Sequence, residues 1–481
     1  MGVKCFRFKT FTPILAFPLK GEGEKIESLK MDDTNLKTET TQQAKARMQA
    51  AGVHTIIAQF VDIHGCAKGK YIPVAHLDDI LGAGAGFAGP SIWGTGLPRT
   101  GARAEFYGKG DLSTLQALPW MPGYARIVCS GMVDGKPFAG CSRRVLLKQI
   151  ERLNARGWTL NVGIEPEFFL LETDENGHPV PCVQDNQDKP SYDLKALARV
   201  RDVLRCMETG LTECGFDVFQ IDHEDASGQY ELNYYYSDAL QAADRFTLFK
   251  MAASHIAEEA GLIFSLMPKP FADRPGSGLH LHLSLTDKAG NAVMADENDS
   301  HGLSATGRQI AAGLLAHSAA LAAFHAPSVN SYKRLVVGRS LSGTTWAPAH
   351  IAWGYNNRTT VLRTVANRME FRLTDGSCNI YLAIASTIAA MLDGVELNLT
   401  PPAPIDEDVY EWEQSEFAKR GVKTLPQTMG EALAALSADT ALAKALGDEF
   451  VAEYLATKTP EWIDYCRSVS DWEYKRYLSW P

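Results

Sequence analysis

The sequence predicts an α+β protein with a small mixed domain ahead of a much larger one. Three observations carry this. At 481 residues the chain exceeds what one compact core usually holds, which suits two domains or one large one. Helix-like and strand-like patterns alternate through the first third of the chain. Long Ala-rich helices interspersed with strands follow, and beyond about residue 379 the pattern becomes almost entirely helical.

In chain order, residues 1–45 read as a flexible extension. Its mixed charge ("KGEGEK", "MDDTNLKTETTQQ") shows no sustained period, and Met31 is an alternative start. From "TTQQAKARMQAAGVHTIIAQFVDIHG" a capped helix leads into an apolar strand and a turn. The strand-like "KGKYIPV" and "ARIVCSGMV" and a Gly-rich loop, "GAGAGFAGPSIWGTG", complete a small domain over 46–135. The remainder, 136–481, opens with the helix "CSRRVLLKQIERLNARG" and the strand "GIEPEFFLL". No repeat of 20 to 50 residues is visible.

Composition removes several function classes. Apolar content of 45% and charged content of 22% are ordinary for a globular protein. A formal charge of -10 disfavours a nucleic-acid backbone as partner. The nine cysteines form no CxxC pair and are odd in number, which fits a reduced, cytoplasmic protein better than a disulfide framework. There is no apolar run of membrane-spanning length, and "FTPILAFPL" is too short and too proline-interrupted for a signal peptide. No Walker GxxxxGK[ST] occurs.

Four constellations carry chemistry. Glu165 and Glu167 stand two apart on a strand and so share a face, although their neighbours are apolar. In "IDHEDASGQYELNYYY" a two-residue turn at Ser227-Gly228 would set Glu224 directly opposite Glu231, a repulsive pair unless a cation intervenes. "PGSGLHLHLSL" puts His280 and His282 on one strand face, and "NRMEFRLTD" does the same for Arg368, Glu370 and Arg372. Singly, each has a plainer reading: a solvent-facing edge strand, satisfied histidines, a salt-bridge ladder. Together they describe an oxygen-rich site with an occasional imidazole, suited to Mg²⁺ or Mn²⁺ rather than zinc. Two such ions can clamp a transferring phosphoryl group. From residue 300 to 369 there is no acidic residue, while Arg308, Lys333, Arg334, Arg339, Arg358, Arg363 and Arg368 fall there. That segment is a candidate anion cradle.

The chain resembles the glutamine synthetase family from about residue 46 onwards, in "EPEF", "DHEDASGQYE", "GSGLHLHLS", "NSYKRLV", "NNRTTVLR", "RMEFRLTD" and "LPQTMGEAL". The resemblance implies a β-grasp-like N-terminal domain and a catalytic domain with a curved antiparallel sheet. It implies two or more Mg²⁺ or Mn²⁺ ions, with Glu167, Glu224 and Glu231 at one and Glu165, His280 and Glu370 at another. ATP would meet His282, Ser284 and Arg368; glutamate would meet Gly276, Arg334 and Arg372; Arg358 and Arg363, with Arg372, would act on the phosphoryl group in flight. The implied reaction makes γ-glutamyl phosphate from ATP and glutamate, and an amine then displaces phosphate. Stacked rings, a dodecamer, are implied as well, with sites shared between neighbouring subunits.

Departures from the family pattern bear on the amine. Ammonia-using members carry an Asp in an N-terminal loop and a Glu in a flap. Here "FAGPSIWG" places Ala88 at the first position, and the longer flap "RLVVGRSLSGTTWAPAHIAWGYNNR" places Ser340 or Trp346 at the second, with no acid nearby in sequence. Trp346 offers an aromatic face to an alkylammonium. Its Trp-Ala-Pro flap is similar to that of the branch that aminates glutamate with methylamine and of type III glutamate–ammonia ligases. Methylamine is therefore the expected acceptor, then ammonia, then a polyamine. Pro275 replaces an Asn usual on the glutamate side, and "EDVYEWEQ" lacks the context for adenylylation at Tyr410. A non-catalytic relative would lack some of the six metal-ligand candidates, all present here. A phosphagen-type kinase would not need the glutamate-holding set.

Overall fold

A computed structural model describes residues 39–182, 185–187, 190–337, 346–365 and 367–480. Met31 and the rest of 1–38, Arg339 and Ser340 lie outside the described residues.

The first helix, α1 (Thr41–Ala50), begins within the stretch read as an extension. Thr40 and Gln43 form a reciprocal capping box there, satisfying amides that the first turn leaves open. It packs Ala44 and Met48 onto a sheet ordered β2-β1-β5-β4-β3, where β1 is Thr55–Val61, β2 Ala67–Pro73, β3 Ala85–Ala88, β4 Glu105–Gly110 and β5 Tyr124–Val133. β1 and β5 run parallel and the other pairs on that path antiparallel. Phe60, Phe87 and Phe106 meet edge-on or tilted in its core.

The large sheet is organised by one long strand, β6 (Trp158–Thr173). Its order is β7-β8-β6-β9-β12-β11-β10, with β7 Val218–His223, β8 Gln229–Tyr234, β9 Leu279–Asp287, β10 Trp353–Tyr355, β11 Leu362–Val365 and β12 Arg368–Phe371. Only β10 and β11 pair parallel on this path. Alternation along β6 explains its sequence: Val162, Ile164, Phe168 and Leu170 are buried in the main core, which leaves the opposite face for Glu165 and Glu167.

Helices cover the core face. They are α2 (Ser142–Ala155), α3 (Leu194–Glu213), α4 (Ala239–Glu259), α5 (Ala305–His325) and α6 (Ile380–Glu396). α6 is apolar almost all round and buried accordingly. It crosses α5 backbone to backbone: a Cβ on Gly313 would run into the Ala390 carbonyl oxygen, and one on Gly394 into that of Gln309. The expected helical end is present, including α7 (Met429–Ala438) and α8 (Asp448–Arg467). No described helix is long and apolar enough to cross a membrane.

Polar joints bind the small sheet to the large one. Asp244 of α4 takes both arms of Arg143 at 2.8 and 3.0 Å and the Tyr381 hydroxyl at 2.7 Å, while Arg143 also reaches Asp111 at 2.9 Å. Asn379, which caps α6, donates to the Asp62 carbonyl and to Ser142 Oγ, each at 2.8 Å. Removing one partner of a buried ion pair strands the other, at about 3–5 kcal/mol. Asp244→Ala is expected to lower the unfolding free energy measured in urea by that order, and a midpoint unchanged from wild type would contradict the joint's role.

Candidate active site

Register builds the site. Across the large sheet Asp222 faces Glu231, and Glu231 in turn faces Glu167. One step along β6, Glu165 faces His280. Next to these, His282 faces Glu370, and Glu370 faces Arg363. Three rows from six strands thus meet on the face that the core leaves free.

Two groups of potential ligands result. Glu165, His280 and Glu370 present atoms within 4.8 Å of one another, and so do Asp222, Glu224 and Glu231. Glu167 stands between them: Oε1 is 3.9 Å from His280 Nε2, while Oε2 accepts from the Gly278 amide at 2.9 Å and from Gln229 Nε2 at 3.1 Å. The first trio joins the residues that the sequence pattern singled out. The second includes Asp222, which sequence reasoning did not select, because the hairpin differs from the expected one. Its loop has four residues, Asp225–Gly228, closed by a Glu224 amide to Gln229 carbonyl bond of 3.0 Å, with Gly228 at φ +77°. The pairing therefore moves by two residues. Faces are preserved, but Asp222 rather than Glu224 lies opposite Glu231.

The Gly-Ser-Gly turn before β9 lets backbone approach closely. A Cβ on Gly278 would lie 2.8 Å from His280 Nε2 and 2.9 Å from Arg334 Nη2, and one on Gly276 would run into the Pro268 carbonyl oxygen. Arg334 is buried and donates to the carbonyls of Leu373 at 3.2 Å and Arg372 at 3.1 Å. Arg363 Nη1 meets Glu370 at 2.6 Å, and Arg372 Nη1 also meets Glu370. Arg368 Nε donates to His282 Nδ1 at 3.0 Å. Ser284 lies further along β9, opposite Asn161, and Arg358 is exposed on the segment before β11. The basic segment converges only in part: Arg308 pairs with Asp299, and Lys333 lies over the Tyr465 ring.

Trp346 is 49% exposed but pinned on three sides. Its carbonyl accepts from Arg372 Nη2 and its indole Nε1 donates to Asp225 Oδ2, both at 3.0 Å, while the Tyr410 hydroxyl donates to the adjoining Ala347 carbonyl. Asp225 thus brings a carboxylate beside the flap, where the neighbouring sequence has none. Its place follows from the hairpin, 121 residues away along the chain. Ala88 stands apart, exposed on β3 opposite Glu105.

The two groups differ electrically. Burial opposes charge on Glu165, but His280 and His282 hold its carboxyl far below the usual range; His282 Nε2 lies 2.7 Å away without the alignment of a straight hydrogen bond. Burial likewise opposes charge on Glu370, and Arg372, His280 and His282 outweigh it and bring it to about 2. In the other group, among the described residues, no cation clasps Glu224 or Glu231, and His223 only partly opposes the rise at Asp222. Burial first, and Glu167 second, push Glu231 up to about 10 and Glu224 well above its ordinary value, and burial raises Asp222. One buried oxygen of Asp222 has no hydrogen-bond partner among the described residues. Paired carboxylates that lack a cation, beside a trio of two carboxylates and one imidazole, fit hard divalent ions.

A model of the glutamine synthetase catalytic domain matches residues 139–477. The chain belongs to the glutamine synthetase family. Within that family it is 50% identical over 439 residues to the glutamate–methylamine ligase of Methyloversatilis universalis, covering 91% of this chain and 98% of that protein. It is 38% identical over 429 residues to the glutamine synthetase of Rhizobium meliloti, covering 89% and 97%. A solved structure described as a GmaS/ADP complex superposes with a TM-score of 0.84 at 35% identity, covering 91% of this chain and 99% of that one.

The raised carboxyls set a pH dependence. Without a cation the folded chain keeps protons that the unfolded chain releases near the ordinary glutamate value, so stability falls as pH rises from there through about 10. A bound divalent cation replaces those protons. The rise in melting temperature produced by Mg²⁺ is expected to grow from about pH 6 to about pH 9, and Glu231→Gln to flatten that growth. A pH-independent Mg²⁺ effect would contradict the arrangement.

Proposed function

We propose that this ATP-dependent ligase joins the γ-carboxylate of glutamate to methylamine. The observation that carries the reading is the corner formed by Trp346 and Asp225. An aromatic face and a carboxylate suit a methylammonium ion, because the face takes the methyl group and the partial charge, while the carboxylate takes the ammonium proton. The 50% identity to the Methyloversatilis universalis ligase supports the same acceptor. Ala88, where an ammonium-binding acid would stand, supports it from the other side.

In this reading Glu165, His280 and Glu370 hold one divalent ion, Mg²⁺ or Mn²⁺, and Glu224 and Glu231, with Asp222 and Glu167, hold a second. Such ions, when bound, offset the charge on ATP's phosphates. The remaining work falls to the chain. Arg334 and the Gly276 backbone orient glutamate, with Arg372 beside the reacting carboxylate. His282, Ser284 and Arg368 face ATP. The γ-carboxylate oxygen forms a bond to the γ-phosphorus as the bond to ADP breaks, with Arg358 and Arg363 stabilising the charge in transit. Asp225 accepts a proton from methylammonium, the freed amine forms a bond to the acyl carbon as the acyl C–O bond breaks, and the departing phosphate carries off the amine's second proton. Ala88 enters through a neighbouring subunit in a ring assembly.

Phosphate release across ammonia, methylamine, ethylamine and diamines tests the acceptor. Methylamine is expected to show the highest kcat/KM, and ammonia ahead by about tenfold or more would overturn the assignment. Trp346→Ala is expected to lower methylamine kcat/KM by about fivefold, equivalent to about 1 kcal/mol of cation–π attraction. Hydroxylamine should trap γ-glutamyl hydroxamate in the presence of ATP and a divalent metal, and its absence would remove the acyl-phosphate route. Glu167→Ala is expected to abolish turnover in a folded protein.

A further inference from the structure

The hairpin loop that carries Asp225 is held by residues outside the reacting cluster. Asp185 is almost wholly buried, and its Oδ2 accepts from the Gly228 amide and meets His223 Nε2, each at 2.6 Å. His223 is fully buried and donates through Nδ1 to the Glu224 carbonyl at 2.8 Å. The same stretch of chain grips the loop at three further points. Ser227 Oγ donates to the Gln187 carbonyl at 3.1 Å, the Tyr192 amide donates to the His223 carbonyl at 2.9 Å, and Ser191 Oγ donates to Asp225 Oδ1. Tyr192 takes a left-handed conformation, φ +61°, at this point, a backbone cost a tyrosine bears only where surroundings enforce it.

These contacts divide the labour on one carboxylate. Ser191 holds Oδ1 of Asp225 and Trp346 meets Oδ2. Asp185 fixes both ends of the loop between, through the amide of its last residue, Gly228, and through His223 to the carbonyl that precedes it. A four-residue loop free to shift by an ångström would carry Asp225 out of reach of an amine lodged against Trp346, and such a misplacement is costly in rate.

We propose that Asp185 and Ser191 are positioning residues that determine how well the enzyme captures its amine, by fixing the Asp225 carboxylate against Trp346. This rests on the reading of Asp225 and Trp346 as the amine corner. Among the described contacts Ser191 reaches the Asp225 side chain and Asp185 reaches Glu224 only through His223 and the Glu224 backbone carbonyl, so their loss falls first on the amine. A merely structural role would move all three.

The test compares full-length Asp185→Asn, Ser191→Ala and Asp225→Asn with wild type, measuring KM for methylamine, glutamate and ATP. In parallel, 5-oxoproline release is measured from ATP and glutamate without amine; there the α-amino nitrogen of γ-glutamyl phosphate attacks its own acyl carbon and expels phosphate. Asp185→Asn is expected to raise the methylamine KM about tenfold and Ser191→Ala about threefold, with the other KM values and 5-oxoproline release within about twofold of wild type. An unchanged methylamine KM in both, or three KM values rising together, overturns the proposal. If Asp185→Asn does not fold, Ser191→Ala decides, since it leaves the buried Asp185–His223 pair intact. Asp225→Asn separates the two layers. Methylamine KM unaffected there removes the amine corner itself, whereas a rise there without one in the other two variants removes only the positioning role.

Discussion

The structure depends on one costly arrangement: six carboxylates and two imidazoles gathered on the open face of a single sheet and its hairpin. Like charges opposite one another on neighbouring strands repel, and Asp222, Glu231 and Glu167 form a row of three. A row of this kind survives because the other face of β6 is anchored in the main core by Val162, Ile164, Phe168 and Leu170. Core burial fixes which face the acids take, since a one-residue slip would send every side chain through the sheet.

The same face answers its charge in two ways. Arg363 and Arg372 clasp Glu370, and the histidines lie against Glu165, which favours the ionised forms in that half. Among the described residues the half around Glu231 has no such clasp, and burial with the neighbouring carboxylates favours the protonated forms of Glu231 and Glu224. A phosphoryl-transfer site needs this division: side-chain cations close to the transferring group, and a vacancy of charge for ions that arrive with the nucleotide.

Much of this was legible in the sequence because period-two patterns and ordered motifs fix which residues share a face. Glu165 with Glu167, His280 with His282, and Glu370 with its arginines needed no knowledge of strand order. Asp222 was missed because its partner depends on loop length, and a four-residue loop moves the pairing by two without changing the faces. Asp225 was missed for a different reason. It meets Trp346 only in space, 121 residues away, and proximity along the flap gave no acid. Charge density also misled for Arg308 and Lys333, since a run of basic residues says nothing about which of them point inward. Asp185 and Ser191 carried no signal, because their roles are hydrogen bonds to a hairpin whose loop had first to be placed.

In the proposed reading the amine end is built from the hairpin and the flap, and the phosphate end from the six-strand face. That reading has the hairpin serve both, with Asp222, Glu224 and Glu231 on the metal side and Asp225 on the amine side. Counting bound ions tests the central claim most directly. Titration of the metal-free enzyme with Mn²⁺ in the presence of ADP, followed by electron paramagnetic resonance, should give two ions per chain, with one lost in Glu231→Gln and the other in Glu165→Gln. A stoichiometry that neither substitution changes would contradict the account.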